Sequence, residues 1–312
     1  MAVAPRPHFL WKLHTRSLAL GERTRVVGVV NVTPDSFSDG GKFFSPASAV
    51  EHALRLLEEG ADILDIGGES TRPGTRPQVS AQGELDRVLP VIEATLHERP
   101  DAIFSIDTYK AETARAAIAA GAEIVNDVSG FLWDPLMAAA CAELQCGVIL
   151  MHTRGRSSEW RTQPPLPQGE IVPLVLRELG ERARAAVAAG IERNSIVLDP
   201  GFGFGKRLEE NYPLLAHFEE LRALGYPLLA GPSRKVFLGR TLAQATPRDN
   251  GGQDVPTDQR GNATLAAITA AVLAGAHLVR VHDVRAAREA VAIADAIRAD
   301  STMEADPGKR LA

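Results

Sequence analysis

The sequence predicts an α/β protein, a single-domain (β/α)8 TIM barrel preceded by a short N-terminal β-ribbon. Eight short apolar runs alternate with longer segments, most of which have helical spacing, and nearly every run ends abruptly at a polar residue. The chain has 312 residues and no detectable internal repeat, which suits a barrel built as one domain. We predict an N-terminal extension with the ribbon at 1–24, the barrel at 25–300 and a C-terminal tail at 301–312.

The first barrel unit shows the pattern on which this prediction depends. Residues 26–30 contain four valines, a β-branched run typical of a strand that is buried on both faces, and Asn31 is the first polar residue after it. Residues 47–59 then place apolar side chains three and four positions apart and stop before Gly60, as an amphipathic helix does. Before this unit, residues 8–20 alternate roughly between apolar and polar, which predicts a ribbon that closes one end of the barrel.

The later elements repeat this order. Strands are predicted at residues 26–30, 63–66, 102–106, 123–125, 147–151, 196–198, 227–230 and 277–281. Helices are predicted at residues 47–59, 85–92, 111–120, 171–189, 263–274 and 285–298. A further helix is expected to begin at Pro135 with Asp134 as its N-cap, because proline is favoured at the first helical position.

Composition and charge exclude several classes of function. A net charge of −5 leaves no basic surface for nucleic acid or anionic lipid, and no apolar stretch reaches the roughly 20 residues of a membrane span. Cys141 and Cys146 have neither the spacing of a zinc site nor that of a disulfide framework, so we expect core thiols in a reducing compartment. The default prediction is a cytoplasmic enzyme without nucleic-acid or membrane partners.

Polar residues at the strand ends predict the active site, because barrel enzymes build their chemistry on the loops that follow the strands. Those residues are Asn31, the loop 70–72, Asp107, Asn126, His152, Asp199, Lys235 and His282. Asp107, Asn126 and Asp199 together could read a flat heterocycle through several donors and acceptors. Any one of them alone is roughly twice as often a helix or turn cap, but three at one rim favour binding.

The last strand meets the first in a closed barrel, which predicts an anion site. Arg280 and His282 alternate along the last strand, and with Asn31 they form a cluster suited to phosphate oxygens. A surface salt bridge is an equally good interpretation of Arg280 alone. Asn31 also suits Mg²⁺, which usually takes one or two protein oxygens and completes its shell with water and substrate phosphates.

Three loops carry further hypotheses. The loop 201–206 is glycine-rich but matches neither nucleotide-binding pattern, so we interpret it as a tight turn that presents Phe202 or Phe204 as a stacking wall. Ser233–Lys235 could bind a carboxylate, although N-capping by Ser233 is an alternative. The loop 153–168, which contains prolines and arginines, is longer than most connections and is therefore either functional or mobile.

Several long motifs resemble those of the bacterial dihydropteroate synthase family. They are Asn-Val-Thr-Pro-Asp-Ser-Phe-Ser-Asp-Gly-Gly at 31–41, Asp-Ile-Gly-Gly-Glu-Ser-Thr-Arg-Pro-Gly at 65–74, Ser-Ile-Asp-Thr at 105–108, Asn-Asp-Val-Ser at 126–129, Leu-Asp-Pro-Gly-Phe-Gly-Phe-Gly-Lys at 198–206, Ser-Arg-Lys at 233–235 and Arg-Val-His-Asp-Val at 280–284. The first two motifs are long and specific, and the resemblance extends from about Val26 to the last helix.

The resemblance implies an enzyme of folate biosynthesis, the target of sulfonamides. It would condense 6-hydroxymethyl-7,8-dihydropterin diphosphate with p-aminobenzoate, giving 7,8-dihydropteroate and diphosphate, with Mg²⁺ as cofactor and as a homodimer. The implied pterin site is Asp107, Asn126, Asp199 and Lys235, with Asn31 supporting Mg²⁺. The implied diphosphate site is Thr71, Arg280 and His282. The implied aminobenzoate site is Phe37, Asp39, Arg72, Pro73 and Phe204, completed when the first two loops close as mobile lids.

The implied mechanism is dissociative, so that the C–O bond to diphosphate breaks before the arylamine attacks. Asp39, Arg72 and Lys235 would be catalytic, with Asp39 stabilising the positive charge that develops on the pterin methylene.

One departure from the family pattern is Val236, because the family often has serine or a long polar residue after Ser-Arg-Lys. Two alternatives stay open: a corrinoid-dependent methyltetrahydrofolate methyltransferase, which should lack the first two loops, and a non-catalytic pterin-binding paralogue, which only Val236 favours.

Overall fold

A computed structural model describes residues 3, 6–33, 46–70, 79–160, 162–245 and 253–305, and the side chains of these residues up to 300. The N-terminal ribbon consists of β1 (Phe9–Lys12) and β2 (Ser17–Leu20). The barrel strands are β3 (Arg25–Asn31), β4 (Ile63–Gly67), β5 (Phe104–Asp107), β6 (Ile124–Asp127), β7 (Gly147–Met151), β8 (Ile196–Asp199), β9 (Leu229–Ala230) and β10 (Leu278–Val281).

Helices follow the strands along the chain. They are α1 (Pro46–Glu58), α2 (Ala81–Glu98), α3 (Ala111–Ala119), α4 (Met137–Leu144), α5 (Ile171–Ala188), α6 (Asn211–Ala216), α7 (Val236–Ala245), α8 (Gly261–Leu273) and α9 (Val284–Ala305). No helix among the described residues is long and apolar enough to cross a membrane.

The eight barrel strands form one parallel sheet that closes on itself. Their order is β8-β7-β6-β5-β4-β3-β10-β9. A bridge between Leu198 and Leu228 joins the two edges and completes the barrel. β10 lies beside β3, with Arg280 opposite Val27, so the predicted neighbourhood of the last and first strands is confirmed. Strands such as β4 and β7 are buried along their whole length, as their apolar sequences predict.

The N-terminal ribbon covers the end of the barrel at which the strands begin. Trp11, Leu13 and Leu20 are buried in one cluster with residues from the barrel strands, among them Val27 and Ile63. The indole N–H of Trp11 donates to the backbone oxygen of Ser195, just before β8, at 2.8 Å. The prediction that the ribbon closes one end of the barrel is confirmed, and the opposite end stays open for a site.

Two parts of the predicted secondary structure were wrong. Helix α4 begins at Met137 instead of Pro135. Asp134 still caps the turn that precedes the helix, because its Oδ1 accepts from the backbone N–H of Leu136 at 2.9 Å, while its Oδ2 accepts from the Ala111 N–H at the start of α3. Strand β9 has two residues instead of four. Between β8 and β9 the chain forms α6 and the short 3-10 turns Leu208–Glu210 and Phe218–Leu224, which are too short to show a clear helical period.

Candidate active site

A cavity of about 540 Å³ opens at the carboxyl ends of the barrel strands. This volume lies within the range of small-molecule sites, roughly 300 to 1,000 Å³. Every described residue to which the family resemblance assigns a role lines it, namely Asn31, Asp107, Asn126, Asp199, Phe204, Lys235, Arg280 and His282. The predictions for Phe37, Asp39, Thr71, Arg72 and Pro73 fall on residues outside the described ranges.

Arg280 connects two carboxylates on the floor of this cavity. Its Nε donates to Asp65 Oδ2 at 2.6 Å, and Nη2 donates to Asp107 Oδ2 at 2.7 Å. The same oxygen of Asp65 accepts from the Asn126 side-chain amide at 3.0 Å. Arg280 is therefore part of an inward network rather than a surface salt bridge, and the Asn126 amide is fixed by Asp65 rather than by a helix cap.

Asp65 is a site residue to which the sequence analysis gave no role. Its side chain is fully buried within β4, and Oδ1 has no hydrogen-bond partner. A carboxylate in a strand buried on both faces is itself a signal, since such a group needs a charged partner. The partner, Arg280, lies too far along the chain for local patterns to reveal it.

Burial controls the charge of the two carboxyl groups that line the cavity. Burial raises the pKa of Asp107, and Arg280 opposes that rise while the charge of nearby Asp65 adds to it. Burial also raises the pKa of Asp199, to about 6, against a hydrogen bond from the Gly201 N–H and the charge of Lys235. Both groups therefore titrate closer to neutrality than an exposed aspartate, as groups in functional cavities often do.

Asp199 combines the two roles that the sequence left open. Its Oδ1 accepts from the backbone N–H of Gly201 at 2.7 Å, which is the expected turn cap. The residue also lines the cavity, and Oδ2 lies 3.6 Å from the place where a Cβ on Gly231 would stand. Capping with one oxygen thus fixes the carboxylate while the residue faces the cavity.

The loop after β8 presents one of its two phenylalanines to the cavity. Phe204 lines the cavity wall, and the Lys235 ammonium lies 3.7 Å from the centroid of its ring. Phe202 is fully buried and packs with Phe218 and Phe237, so of the two phenylalanines offered as a wall only Phe204 stands at the cavity. The alternating positive φ angles of Gly201, Gly203 and Gly205 direct the two rings to opposite sides.

Lys206 fixes the backbone of this loop and was not predicted as a site residue. Its buried ammonium donates to the backbone oxygens of Gly201 at 2.7 Å, of His152 at 3.2 Å and of Phe204 at 3.4 Å. Burial lowers the pKa of Lys206 to about 7, and the neighbouring carboxylate of Asp199 opposes the change. The sequence offered one signal, a lysine that closes a glycine-rich loop.

Gly201→Ala is expected to destabilise the protein by about 2 to 5 kcal/mol. A Cβ there would overlap the His152 carbonyl oxygen, and the φ of +68° is strained for any other residue. We expect roughly 1 to 2 kcal/mol from the backbone and roughly 1 to 3 kcal/mol from the overlap. Gly169→Ala is a matched control, because its φ is +85° and no atom lies within 4 Å of the added Cβ. Urea unfolding measures the free energy of unfolding of both variants. Equal decreases would show that the structure relieves the overlap at Gly201, and would contradict this prediction.

His152 follows a strand but does not face the cavity, so its place among the rim residues was wrong. The imidazole is fully buried, and Nε2 lies 3.1 Å from Glu178 Oε2 on α5. Burial lowers the pKa of His152 to about 3, with the charge of Lys206 adding to that effect, so the ring is neutral. Its backbone contributes to the site instead, since the His152 N–H donates to the backbone oxygen of Asp199 at 2.9 Å.

The segment 233–236 places polar groups beside the last strand. Ser233 Oγ lies 2.9 Å from His282 Nδ1, and α7 begins only at Val236, so Ser233 is not the N-cap of that helix. The Arg234 guanidinium pairs with Asp283, with Nη2 and Oδ1 2.6 Å apart. Val236 is 53% exposed and lines the cavity, which puts the start of α7 at the site.

Asn31 is the residue that the sequence analysis offered as a cation contact at the rim. It ends β3 and lines the cavity. No cluster of three or more His, Cys, Asp or Glu side chains suited to a metal ion occurs within 6–33, 46–70, 79–160, 162–245 or 253–300. One amide oxygen fits Mg²⁺ that is held mainly by water and substrate phosphates, and it does not fit an ion held in a protein cage.

Comparison with known proteins places this site in a family. A family model described as pterin binding enzyme matches residues 27–282. The dihydropteroate synthase of Bacillus subtilis is 42% identical over 275 residues, which cover 88% of this chain and 89% of the relative. The Mycobacterium leprae dihydropteroate synthase is 46% identical over 275 residues, covering 87% and 93%.

Solved structures agree with the sequence relatives. The Xanthomonas albilineans dihydropteroate synthase with 4-aminobenzoic acid has a TM-score of 0.81 and 44% identity, covering 94% of this chain and 99% of that one. The Yersinia pestis dihydropteroate synthase in complex with a sulfonamide drug has a TM-score of 0.83 and 41% identity, covering 94% and 100%. The chain therefore belongs to the pterin binding enzyme family and, within it, to the dihydropteroate synthases.

Proposed function

We propose that the chain condenses 6-hydroxymethyl-7,8-dihydropterin diphosphate with p-aminobenzoate to give 7,8-dihydropteroate and diphosphate. The observation that carries the proposal is the network of Asp107, Asn126 and Arg280 around Asp65, in a cavity that Asp199 and Lys235 also line. This arrangement offers a flat heterocycle both donors and acceptors within one small space, in a chain whose relatives are dihydropteroate synthases.

The pterin would lie deepest in the cavity. The Asn126 side-chain N–H donates to Asp65, so the Asn126 amide oxygen would accept from a ring N–H of the pterin. Asp199 would accept from the exocyclic amino group and a ring nitrogen of the pterin, with its turn cap holding the carboxylate in place. Lys235, which also lines the cavity, would donate to the pterin carbonyl oxygen.

The diphosphate would leave toward the junction of β10 and β3. His282 and the remaining N–H groups of Arg280 would bind its oxygens there, with Thr71 added by family resemblance. When bound, Mg²⁺ would neutralise charge on the diphosphate, with Asn31 as its protein contact. The family resemblance assigns none of the site residues to a covalent step, which supports a dissociative route in which the C–O bond breaks first. By family resemblance Asp39 and Arg72 would also be catalytic, since a carboxylate can stabilise the positive charge that develops on the pterin methylene.

Val236→Ser is expected to lower the Michaelis constant for p-aminobenzoate by about two- to five-fold. Val236 begins α7 at the cavity, where backbone N–H groups and the helix dipole suit a carboxylate, and a hydroxyl would add one hydrogen bond. The constant for the pterin diphosphate should not change. Val187→Ser is a control, because Val187 is 42% exposed but does not line the cavity. A raised constant for p-aminobenzoate would mean that its carboxylate binds elsewhere.

A product assay separates this function from the two alternatives. The protein, both substrates and Mg²⁺ should yield 7,8-dihydropteroate, and a chelator should stop the reaction. A corrinoid-dependent methyltransferase would instead transfer methyl from methyltetrahydrofolate to a corrinoid. The Bacillus subtilis and Mycobacterium leprae relatives are dihydropteroate synthases, which does not favour that alternative. A non-catalytic paralogue would bind pterin without forming either product.

We also propose a cytoplasmic homodimer. Cys141 and Cys146 are buried free thiols, as expected in a reducing compartment. On α9, Ile293 is 65% exposed and Ile297 is 45% exposed, one turn apart, which supports a surface that a second copy covers. Light scattering should give twice the mass of 33.4 kDa.

Sulfonamides would compete with p-aminobenzoate at the same site, as the Yersinia pestis complex suggests.

A further inference from the structure

We propose that Trp160 is a further substrate-contact residue, a second aromatic wall beside Phe204 in the arylamine part of the cavity. On this proposal the long loop after β7, at 153–168, acts to position that ring. The inference rests on the proposed function and extends it to a loop for which the sequence analysis had no role. It is carried by the placement of Trp160, by the bonds that hold its ring and by the anchors of its loop.

Trp160 lies at the cavity and meets Phe204 edge-on. Both residues line the cavity, their ring centroids are 5.0 Å apart and their planes are inclined by 88°. This separation and angle are those of a favourable T-shaped aromatic pair. The Lys235 ammonium lies against the ring of Phe204 as well, so the two rings and the ammonium form one corner of the cavity.

The polar atom of Trp160 is already used within its own loop. The indole Nε1–H donates to Thr153 Oγ1 at 3.1 Å and to the Gly155 oxygen at 3.0 Å. These bonds fix the plane of the indole and leave its apolar surface as the part available to a ligand. A wall of this kind recognises a flat aromatic ring and offers nothing to a phosphate.

A buried ion pair fastens the Trp160 loop to the segment that follows the Phe204 loop. Arg154 Nη1 lies 3.1 Å from Glu210 Oε2, and both side chains are 8% exposed. Arg154 also donates to the Pro164 oxygen at 2.8 Å, and the Leu166 N–H donates to Glu210 Oε1 at 3.0 Å. The chain on both sides of Trp160 is therefore bonded to Glu210. The two rings are held in place by contacts within the protein, so their arrangement does not depend on a bound ligand.

The arylamine is the substrate that this corner fits best. The polar groups that would read the pterin are Asp107, Asn126 and Asp199, at the ends of the barrel strands, whereas Trp160 and Phe204 stand on loops beyond the strand ends. The aromatic corner is thus nearer the rim. A benzene ring placed there contacts two rings at right angles, which selects planar aromatic amines over aliphatic ones.

Trp160→Leu and Trp160→Phe test the proposal together. Leucine fills space without a ring, so it should raise the Michaelis constant for p-aminobenzoate about three- to ten-fold, while the constant for the pterin diphosphate stays within about two-fold. Phenylalanine keeps a ring, so it should restore most of the loss. Equal changes in both constants, or no change for either variant, would overturn the proposal and leave Trp160 as a packing residue.

Trp133 provides the matched control. It is half-buried like Trp160 and meets Tyr109 edge-on at 5.1 Å, but it does not line the cavity. Trp133→Leu and Trp133→Phe should leave both Michaelis constants unchanged. A p-aminobenzoate constant that rises as much in Trp133→Leu as in Trp160→Leu would overturn the proposal.

Intrinsic fluorescence gives a readout that does not need turnover. With pterin and diphosphate present, p-aminobenzoate should quench the emission of Trp133→Phe, which retains Trp160, and should leave the emission of Trp160→Phe unchanged. Equal quenching of the two variants would overturn the proposal. If the unaltered protein forms no product, the proposed function fails, and this titration still decides whether Trp160 contacts the arylamine.

Discussion

Arg280→Met is expected to destabilise the protein by about 3 to 5 kcal/mol and to abolish turnover. Arg280 is the partner of both Asp65, which is fully buried, and Asp107, and methionine would leave two carboxylates without their cation. Removing one partner of a buried ion pair typically costs this much, because the remaining charge has lost its solvation and its counter-charge. Urea unfolding near pH 7.5 measures the loss.

A surface ion pair provides the control for this change. Arg115 and Glu143 are 2.6 Å apart on α3 and α4, but their side chains are 45% and 64% exposed. Arg115→Met should therefore cost less than about 1 kcal/mol. Adding Asp107→Asn to Arg280→Met should recover part of the stability, since it removes one of the stranded charges. A loss for Arg280→Met no greater than that for Arg115→Met would contradict the buried network.

Asp199→Asn is expected to weaken pterin binding by roughly 5- to 150-fold without lowering the melting temperature. The lost interaction with the pterin is worth about 1 to 3 kcal/mol. Asparagine can still accept from the Gly201 N–H, so the turn cap survives. Titration calorimetry with the pterin measures the first effect and a melting curve measures the second.

The pH dependence of this variant has a definite sign. The pKa of Asp199 rises from 3.8 to about 6 in the folded protein, so between these values the folded chain holds a proton that the unfolded chain has released. The stability from this group is therefore greatest at low pH and falls as pH rises through about 6. Asparagine does not titrate. As the pH is raised from 5 to 8, the unaltered protein should therefore lose free energy of unfolding that Asp199→Asn keeps. Unchanged affinity with a large drop in melting temperature would make Asp199 structural.

The fold could be predicted from local patterns because each barrel strand is an apolar run that stops at a polar residue. That rule also brought Asn31, Asp107, Asn126 and Asp199 to one cavity, since the carboxyl ends of parallel strands meet at one end of a barrel. The rule failed for His152, whose ring turns to Glu178 on α5. A strand end fixes where the backbone is, but the side chain goes where its hydrogen-bond partner lies.

The remaining features depend on contacts between distant parts of the chain. The choice between Phe202 and Phe204 follows from three glycine φ angles and from the aromatic core that accepts Phe202, and neither can be read from the alternating sequence. Asp65 needs Arg280 before its burial makes sense. The role we infer for the loop 153–168 depends on the ion pair of Arg154 with Glu210, two residues that no local sequence pattern connects.

We expect this cavity to hold the pterin diphosphate and to prepare its C–O bond for cleavage. The most direct test measures diphosphate release from 6-hydroxymethyl-7,8-dihydropterin diphosphate, with and without Mg²⁺ and with and without p-aminobenzoate. We expect Mg²⁺-dependent release that is slow alone, faster with p-aminobenzoate, and then equal in amount to the dihydropteroate formed. Tight binding of the pterin diphosphate without release under any of these conditions would contradict the account and identify a pterin-binding protein without synthase activity.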